Sequence, residues 1–387
     1  MGYKVPFGML QIDRASRSQL SEVAASNWVS EGPYVAEFEE KFAAKFGWKY
    51  CIATSSGTDA GIVVWSAIRE LEGYHYGDRY CGEPAAKVLT PACAFVATVN
   101  CLLAAGLTPD FSDIALSTLN LDPMLVFSPY GQMGIQFVAT MGKPSPIREI
   151  AAVARAANLR LVGDFCEAHG AMLWDGIAGA YADGFCDAAI YSFYAAHLVV
   201  GGEGGCIVTN DDELAGLCRS IKSHGRPPDG YFNFDRVGFN AKWNEFCAAV
   251  ALGSLERFDE TFERRREVRA KLLRALEPFE DQLILYRDGP GEVIAPHAFP
   301  LVLRDERGSI ELLYRALDAA GVQCKTLFGS LPTQHKAFAF LGYEEGAFPV
   351  AERVARTGLH FGCHELMTGE DVALIAKTVG NFLAEKR

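Results

Sequence analysis

The sequence lacks the features typical of membrane proteins, cysteine-based metal sites and nucleic-acid-binding proteins. None of its apolar runs approaches the roughly 18 residues that would suggest a membrane span. Acidic residues outnumber basic ones, 48 to 36, so the formal net charge of −12 offers no basic field for phosphate backbones or anionic lipid. The 11 cysteines are scattered singly, without a Cys-x-Cys or Cys-x-x-Cys pair, so we expect buried reduced thiols and no metal site. We therefore expect neither nucleic acid nor a membrane as a partner.

The opening segment, MGYKVPFGMLQIDR, lacks the apolar core of a signal peptide, which predicts a cytoplasmic protein. With 387 residues, half of them apolar, the chain exceeds what one hydrophobic core usually supports. Short apolar runs alternate with helical stretches up to about residue 210, a pattern typical of an α/β fold with a largely parallel sheet between helices. A long charged helix over residues 246–278 then leads into further strands. The sequence therefore predicts a large domain over 1–245, a smaller one over 246–387, and an N-terminal segment that helps to build the smaller one.

In such a sheet, ligands bind where strands end, so we examined the turns that follow each apolar run. The first, SSGTDAG, contains Gly57, Thr58 and Asp59 at a predicted helix start, where free backbone amides could hold a phosphate. An ordinary helix cap is the competing interpretation. The second turn, TPACAF, ends in Phe95, which could stack on a flat heterocycle or simply belong to the core.

The third turn places Asp164 directly after the apolar run LRLVG. A carboxylate is costly at the end of a buried strand unless it has a cationic partner, so Asp164 could face a protonated pyridine nitrogen. A helix-capping role is the alternative. In the fourth turn a strand ends at Ser192-Phe193, and a glycine-rich loop precedes the next strand.

In this order and spacing the four turns resemble the DegT family of sugar aminotransferases and dehydratases, which are fold-type I enzymes using pyridoxal or pyridoxamine phosphate. The resemblance spans nearly the whole chain and includes TSSGTDAG, GDFCEAHGA, SFYAAHLVVGGEGG, SHGR and GFNAKWNEFCAAVALGSLE. It implies the aspartate aminotransferase fold: a mostly parallel seven-stranded sheet between helices, with a smaller C-terminal α+β domain.

The resemblance also implies a role for each matching residue. The phosphate of the cofactor would be bound by Thr58, Asp59 and Ser192, with Gly57 allowing close approach; Phe95 would lie over the ring, Asp164 would pair with its nitrogen, and Glu167 would approach its hydroxyl group. Many relatives have Gln where this chain has Glu167. Asn240 would reach the cofactor phosphate of a neighbouring subunit, which implies a symmetric homodimer.

The lysine that anchors the cofactor in most of the family is missing from the matching motif. Most relatives read S-F-x-x-x-K, and in this sequence the last position is His197. An imidazole cannot hold the cofactor covalently, but with a reference pKa near ~6.5 it can exchange protons at neutral pH. The sequence therefore predicts that the cofactor is held without a covalent bond, most simply as pyridoxamine phosphate.

The segment SFYAAHLVVGGEGG resembles the sugar 3-dehydratases, closest in motif to those acting on GDP-4-keto-6-deoxy-D-mannose. This resemblance implies that a nucleotide-linked 4-keto-6-deoxyhexose loses its C3 hydroxyl, that His197 is the acid and base, and that an amino donor such as glutamate restores the cofactor. A second type of 3-dehydratase carries an iron–sulfur cluster on closely spaced cysteines. Because the segment PPDGYFNFDRVGFNAKW has no cysteine, we expect no iron–sulfur cluster.

Two alternatives remain open. The chain keeps the His-Gly-Arg typical of the aminotransferases at residues 224–226, so it could be a nucleotide-sugar aminotransferase in which the lysine has been replaced, naturally or by engineering. Such an enzyme could use another lysine, such as Lys242 or Lys336. A protein that binds the cofactor without turnover, as a sensor or scaffold, is the second alternative.

Overall fold

The computed structural model describes residues 2–74, 85–126, 131–173, 185–227, 232–307 and 309–385. The strands, numbered along the chain, are β1 (Tyr50–Thr54), β2 (Lys87–Pro91), β3 (Thr108–Ser112), β4 (Ile114–Ala115), β5 (Asn120–Leu121), β6 (Gln132–Val138), β7 (Arg160–Asp164), β8 (Met172–Leu173), β9 (Ala188–Ser192), β10 (Gly205–Thr209), β11 (Leu283–Leu285), β12 (Glu292–Val293), β13 (Ala298–Leu303), β14 (Cys324–Thr326) and β15 (Gly358–Gly362). The α-helices are α1 (Arg14–Ser26), α2 (Pro33–Phe46), α3 (Gly57–Leu71), α4 (Ala97–Ala104), α5 (Ile147–Ala156), α6 (Asp212–Ile221), α7 (Glu245–Glu256), α8 (Phe258–Leu276), α9 (Glu311–Ala320), α10 (Leu331–Gln334), α11 (Pro349–Thr357) and α12 (Gly369–Glu385).

The large sheet has seven strands in the order β1-β10-β9-β7-β6-β2-β3. The pairs from β9 through β3 are parallel, and β10 runs antiparallel to both of its neighbours. Its central strands are buried on both faces, which explains why they read as short apolar runs rather than as alternating patterns. The predicted mostly parallel seven-stranded α/β fold is confirmed.

Six of these strands point the same way, so the turns after β1, β2, β7 and β9 meet at one edge of the sheet. Helix α3 starts at this edge, where the side chain of Ser56 accepts a hydrogen bond from the amide of Asp59 and thereby caps the helix. The strand β10 begins at the same edge, directly after the glycine-rich loop. The edge therefore collects the four turns that the sequence singles out.

The small sheet has four antiparallel strands in the order β11-β13-β15-β14. Helices α8, α9 and α12 pack together over it, and their apolar side chains form a separate core. The N-terminal segment joins this unit, because the amide of Val5 donates to Gly321 and its carbonyl accepts from Gln323. Phe7, two residues further along, lies near the sheet at His297 and His360.

The long helix predicted over residues 246–278 is wrong in one respect, because the structure divides it into α7 and α8 at Arg257. The side chain of Arg257 is held by the N-terminal segment, through an ion pair with Asp13 at 3.0 Å and a hydrogen bond to the carbonyl of Gln11 at 2.8 Å. Helix α7 packs on α1 and α2, and the large core extends to Phe262 in α8. We therefore propose that the division between the two units lies within α8 rather than at residue 245.

No helix in the described ranges is long and apolar enough to cross a membrane. Most of the cysteines in those ranges are buried, Cys93, Cys206 and Cys363 among them. The described residues also contain no group of three or more His, Cys, Asp or Glu side chains arranged to hold a metal ion.

Candidate active site

A cavity of about 350 Å³ opens at the strand-end edge of the large sheet. The small sheet and the N-terminal segment close its other side. Its polar and charged lining side chains are Ser56, Thr58, Thr98, Asp164, Glu167, Ser192, His197, Glu203, His297, Lys325 and His360. The cavity therefore unites residues from nearly the whole length of the chain, and both sheets contribute to its chemistry.

One end of the cavity is formed by the start of α3 and the end of β9. The amides of Gly57 and Thr58 belong to the first turn of the helix, where backbone N–H groups have no partner within the helix. A Cβ atom on Gly57 would lie 2.8 Å from the Cβ of Ser192 and 3.1 Å from the Sγ of Cys166. Only glycine therefore allows the helix start to approach the strand this closely, and the result is an anion-binding geometry.

Two of the predicted phosphate ligands do not line this cavity. The carboxylate of Asp59 accepts hydrogen bonds from the hydroxyls of Ser55 and Ser56 at 2.5 and 2.9 Å, and its amide donates to Ser56 at 3.0 Å. Asn240 is exposed to solvent, and its side-chain oxygen accepts from Lys242 at 2.6 Å. Asp59 thus organises the helix start, and Asn240 is not part of the lining of this cavity.

At the floor of the cavity the carboxylate of Asp164 is 7% exposed. One oxygen accepts from the hydroxyl of Thr98 at 2.7 Å, and the other accepts from the amide of Cys166 at 3.2 Å. Burial raises the pKa of Asp164, and the Thr98 hydroxyl acts in the opposite direction. No cation in the described part of the chain forms an ion pair with this carboxylate, so a positively charged ligand atom would be stabilised here.

Aromatic side chains surround the rim. Phe95 is 57% exposed, and its ring lies 5.9 Å from that of Phe328 in an edge-to-face arrangement. Tyr194, which is also exposed, lies in the turn after β9. Phe95 thus belongs to the cavity wall rather than to the core, where the sequence had left both possibilities open.

His197 lies in the cavity wall and is in contact with a second histidine. Its Nδ1 lies 3.3 Å from the Nδ1 of His297, and the Nε2 of His297 lies 3.6 Å from Oε1 of Glu167. The other oxygen of Glu167 accepts from the amide of Met141 at 2.7 Å. On the far side, Arg265 in α8 donates to the carbonyl oxygen of His197 at 3.1 Å.

The electrostatics of these groups differ from what the sequence alone suggests. The pKa of His197 is lowered to about 3, chiefly by burial and to a lesser extent by the nearby charges of Arg265 and Lys325. The expectation that this imidazole keeps its ordinary pKa is therefore wrong, because the reference value assumes a solvated ring. Burial instead raises the pKa of Glu167 to about 7, so this carboxyl group is the one that titrates near neutrality.

Sequence reasoning did not single out six polar residues of the cavity, namely Ser56, Thr98, Glu203, His297, Lys325 and His360. The last three come from the small-sheet unit, far along the chain from the last predicted strand-end turn, so only the fold brings them to the site. Lys242 and Lys336, the alternative anchors, do not line the cavity, whereas Lys325 does. Its ammonium group lies 4.4 Å from the centre of the Phe7 ring.

The chain is similar to known proteins along almost its whole length. The model of the DegT/DnrJ/EryC1/StrS aminotransferase family matches residues 10–380. The chain belongs to this family. In the DegT family the chain is 26% identical to the dTDP-4-dehydro-2,6-dideoxy-D-glucose 3-dehydratase of Saccharopolyspora spinosa, over 97% of this chain and 85% of that protein. It is 30% identical to the UDP-2-acetamido-2-deoxy-3-oxo-D-glucuronate aminotransferase of Pseudomonas aeruginosa, over 90% and 91% of the two chains.

Solved structures of DegT relatives share the fold. The E. coli GDP-4-keto-6-deoxy-D-mannose 3-dehydratase with bound hydrated pyridoxal phosphate superimposes with a TM-score of 0.86. The alignment covers 98% of this chain and all of that one, at 22% identity. Because both dehydratases and aminotransferases are among the DegT relatives, membership alone does not select between the two reactions.

Proposed function

We propose that this DegT family member removes the C3 hydroxyl group from a nucleotide-linked 4-keto-6-deoxyhexose with the help of pyridoxamine phosphate. The observation that carries this proposal is the presence of His197, rather than a lysine, in the wall of a cavity that also contains Asp164 and the start of α3. We propose that His197 takes the place of the family's anchoring lysine. The cofactor is then held by non-covalent contacts.

The residues of the cavity fit this cofactor. The buried Asp164 carboxylate has no cationic partner among the described residues, which suits a protonated ring nitrogen. At the opposite end, the amides of Gly57 and Thr58 and the hydroxyl of Ser192 suit a phosphate group. Phe95 at the rim can cover one face of the ring, and Glu167 can approach its hydroxyl group. Asp59 contributes by fixing the helix start through Ser55 and Ser56.

When bound, the cofactor would supply an amine for the C4 ketone of the sugar and a cationic ring able to accept electrons. Asp164 keeps that ring protonated because an unpaired buried carboxylate is stabilised by a cation. His197 removes a proton and returns one through its Nε2, which no hydrogen bond engages in the described part of the structure. Burial of these side chains limits access of water to the reacting atoms.

A second subunit would complete the site. Asn240 is exposed, and the same segment carries Phe232 and Val237, whose side chains are also exposed. Apolar side chains exposed together are typical of a protein interface. We propose a homodimer in which Asn240 reaches the cofactor phosphate of the partner chain. Sedimentation analysis at assay concentration should give the dimer mass, and a fully active monomer would contradict the arrangement.

The reaction is tested with purified protein, pyridoxal phosphate and glutamate. The absorption of the cofactor should shift to that of the pyridoxamine form, because glutamate is the proposed amino donor. Addition of GDP-4-keto-6-deoxymannose should then release ammonia and a 3,6-dideoxy-4-keto sugar. A 4-amino sugar as the product would instead identify an aminotransferase, and tight cofactor binding without either product would favour a sensor.

Aminotransferase activity remains the second candidate, because Lys325 lines the cavity. It is the one lysine among the described lining residues, and its ammonium group has no carboxylate partner among the described ion pairs. Borohydride reduction followed by peptide mass spectrometry distinguishes the two functions. We expect no cofactor attached to any lysine, and attachment to Lys325 would support the aminotransferase.

The substitution His197→Lys tests the role of the imidazole. We expect the variant to bind the cofactor covalently at position 197 and to lose dehydration, because a cofactor tethered to lysine in its aldehyde form has no free amine to offer the C4 ketone. Borohydride trapping and the ammonia assay measure the two effects. His335→Lys is a matched control, since this histidine is exposed and lies outside the cavity lining. Unchanged dehydration in His197→Lys would refute the acid–base role of His197.

A further inference from the structure

Two buried histidines and a half-buried glutamate lie in a row across the cavity wall. His197 follows β9 of the large sheet, His297 precedes β13 of the small sheet, and Glu167 follows β7. We propose that His297 relays protons between His197 and Glu167 and fixes the tautomer of His197. This inference rests on the proposed function, in which His197 moves protons at its Nε2. It adds a residue that sequence reasoning did not single out.

The geometry permits two proton arrangements in which both rings stay neutral. In the first, Glu167 is ionised and faces Nε2–H of His297 across 3.6 Å, and Nδ1 of His297 accepts from Nδ1–H of His197. His197 then presents an unprotonated Nε2, which is a base. In the second, Glu167 is protonated and donates to Nε2 of His297, whose Nδ1–H donates to Nδ1 of His197. His197 then carries a proton on Nε2 and is an acid.

One proton taken up at the cavity converts the first arrangement into the second. It binds at Nε2 of His197, the Nδ1 proton of His197 passes to Nδ1 of His297, and the Nε2 proton of His297 passes to Oε1 of Glu167. The net change is the protonation of one carboxylate, and no imidazolium remains. The reverse sequence returns the proton, so the same three residues serve a base and an acid step.

The surroundings favour such a relay over a charged histidine. Burial lowers the pKa of His297 well below its ordinary value, and the adjacent His197, His360, Arg265 and His169 act in the same direction. The pKa of His197 is lowered most by burial, and then by the charges of Arg265 in α8 and Lys325 in β14. Protonation of Glu167 therefore requires less free energy than protonation of either imidazole ring.

Glu167 is suited to be the end of the relay. Burial raises its pKa to about 7, the Met141 amide and Lys325 lower it, and the carboxylate of Asp164 raises it. A carboxyl group that titrates near neutrality can both accept and release the proton under working conditions. His169 is a weaker candidate for the relay, because its ring nitrogens have no hydrogen-bond partner among the described residues and its ring centre lies 5.9 Å from that of His197.

Nitrogen-15 NMR of the cofactor-free protein, labelled at its eight histidines, tests the relay without any turnover. We expect His197 to be the Nδ1–H tautomer at high pH and the Nε2–H tautomer at low pH, with His297 changing in the opposite sense. Both changes should share a midpoint near the Glu167 pKa of about 7, and neither ring should become an imidazolium there. Histidine signals are assigned by single substitutions.

Variants isolate the two ends of the relay. Glu167→Gln cannot titrate, so both tautomers should stay fixed across roughly pH 6 to 8. His297→Asn should remove the response of His197 to pH. His364→Asn is the matched control, because His364 is buried but does not line the cavity, and the pH response of His197 should persist. In the cofactor-loaded enzyme, His297→Asn should remove the ionisation near neutrality from the pH profile of turnover.

Three outcomes would overturn the relay: an imidazolium at His197 near its ordinary pKa, a tautomer that does not change with pH in the unmodified protein, or a change that persists in Glu167→Gln. These outcomes are independent of which sugar product forms. A protein that shows the coupled tautomer change but makes a 4-amino sugar would keep the relay and refute the dehydration.

Discussion

Arg265 connects the turn that carries His197 to helix α8, so its substitution tests how the site is held. Its Nε lies 2.8 Å from Glu365, and its terminal nitrogens donate to the carbonyl oxygens of Ala196 and His197 at 3.4 and 3.1 Å. The arginine side chain is 2% exposed and that of Glu365 is 13% exposed. Removing one partner of a buried ion pair costs about 3–5 kcal/mol because the other charge is left uncompensated. We expect Arg265→Gln to lower the free energy of unfolding by about that amount.

Urea unfolding, followed by circular dichroism and tryptophan fluorescence, measures this loss. Glu365→Gln is the informative control, because the guanidinium group keeps both carbonyl contacts and the new amide oxygen can still accept from Nε. This variant also leaves a buried charge without its partner, but it keeps these hydrogen bonds, so its cost should be below that of Arg265→Gln. Because the charge of Arg265 lowers the pKa of His197, Arg265→Gln should also raise that pKa. A loss below about 1 kcal/mol in Arg265→Gln, or an equal loss in both variants, would refute the anchoring role.

Two further substitutions test the phosphate end and the titrating carboxyl. Gly57→Ala should weaken pyridoxal phosphate binding and cost about 1–3 kcal/mol of stability, because the added Cβ would lie 2.8 Å from that of Ser192. Fluorescence titration measures the binding. Gly216→Ala is the control: its added Cβ would have nothing within 4 Å, so cofactor binding should stay unchanged. Folding raises the pKa of Glu167 from 4.5 to about 7. The protonated carboxyl group therefore contributes its full stability below about pH 4.5, and this contribution is lost as pH rises through about 7. The unfolding free energy of the unmodified protein relative to Glu167→Gln should thus fall by about 2.5 kcal/mol between about pH 5 and pH 8, and a constant difference in urea titrations would contradict the shift.

The fold was predictable because its signals are local. Short apolar runs such as those of β7 and β9 identify strands that are buried on both faces, and the turns after them identify the edge where ligands bind. Asp164 could be singled out because a carboxylate at the end of a buried strand is costly unless a cation or hydrogen bonds stabilise it. The division between α7 and α8 could not be predicted, since no glycine or proline marks Arg257 and the break depends on a contact with the N-terminal segment.

The proton-handling part of the site was predictable only in part. His197 could be found because it occupies a recognisable motif, but its depressed pKa depends on burial and on Arg265 and Lys325, which are distant in sequence. His297 carries no local signal: it stands before an ordinary buried strand. Its position beside His197 arises only when the small sheet closes the cavity, so it required the tertiary structure.

The sequence resemblance implies two departures from the family pattern, His197 in place of lysine and Glu167 in place of the common Gln, and the proposed relay through His297 would account for both. A buried imidazole alone is a poor acid and base near neutrality, because burial lowers the pKa of His197 to about 3. A glutamine at position 167 could hydrogen-bond to a neighbouring ring but could not store the proton. A glutamate with a raised pKa can store the proton. His297 lies between the two groups, with its Nδ1 3.3 Å from Nδ1 of His197 and its Nε2 3.6 Å from Oε1 of Glu167. His197 with a glutamine at position 167 would leave the proton with no favourable acceptor, so we expect His197 and Glu167 to act as a single functional unit.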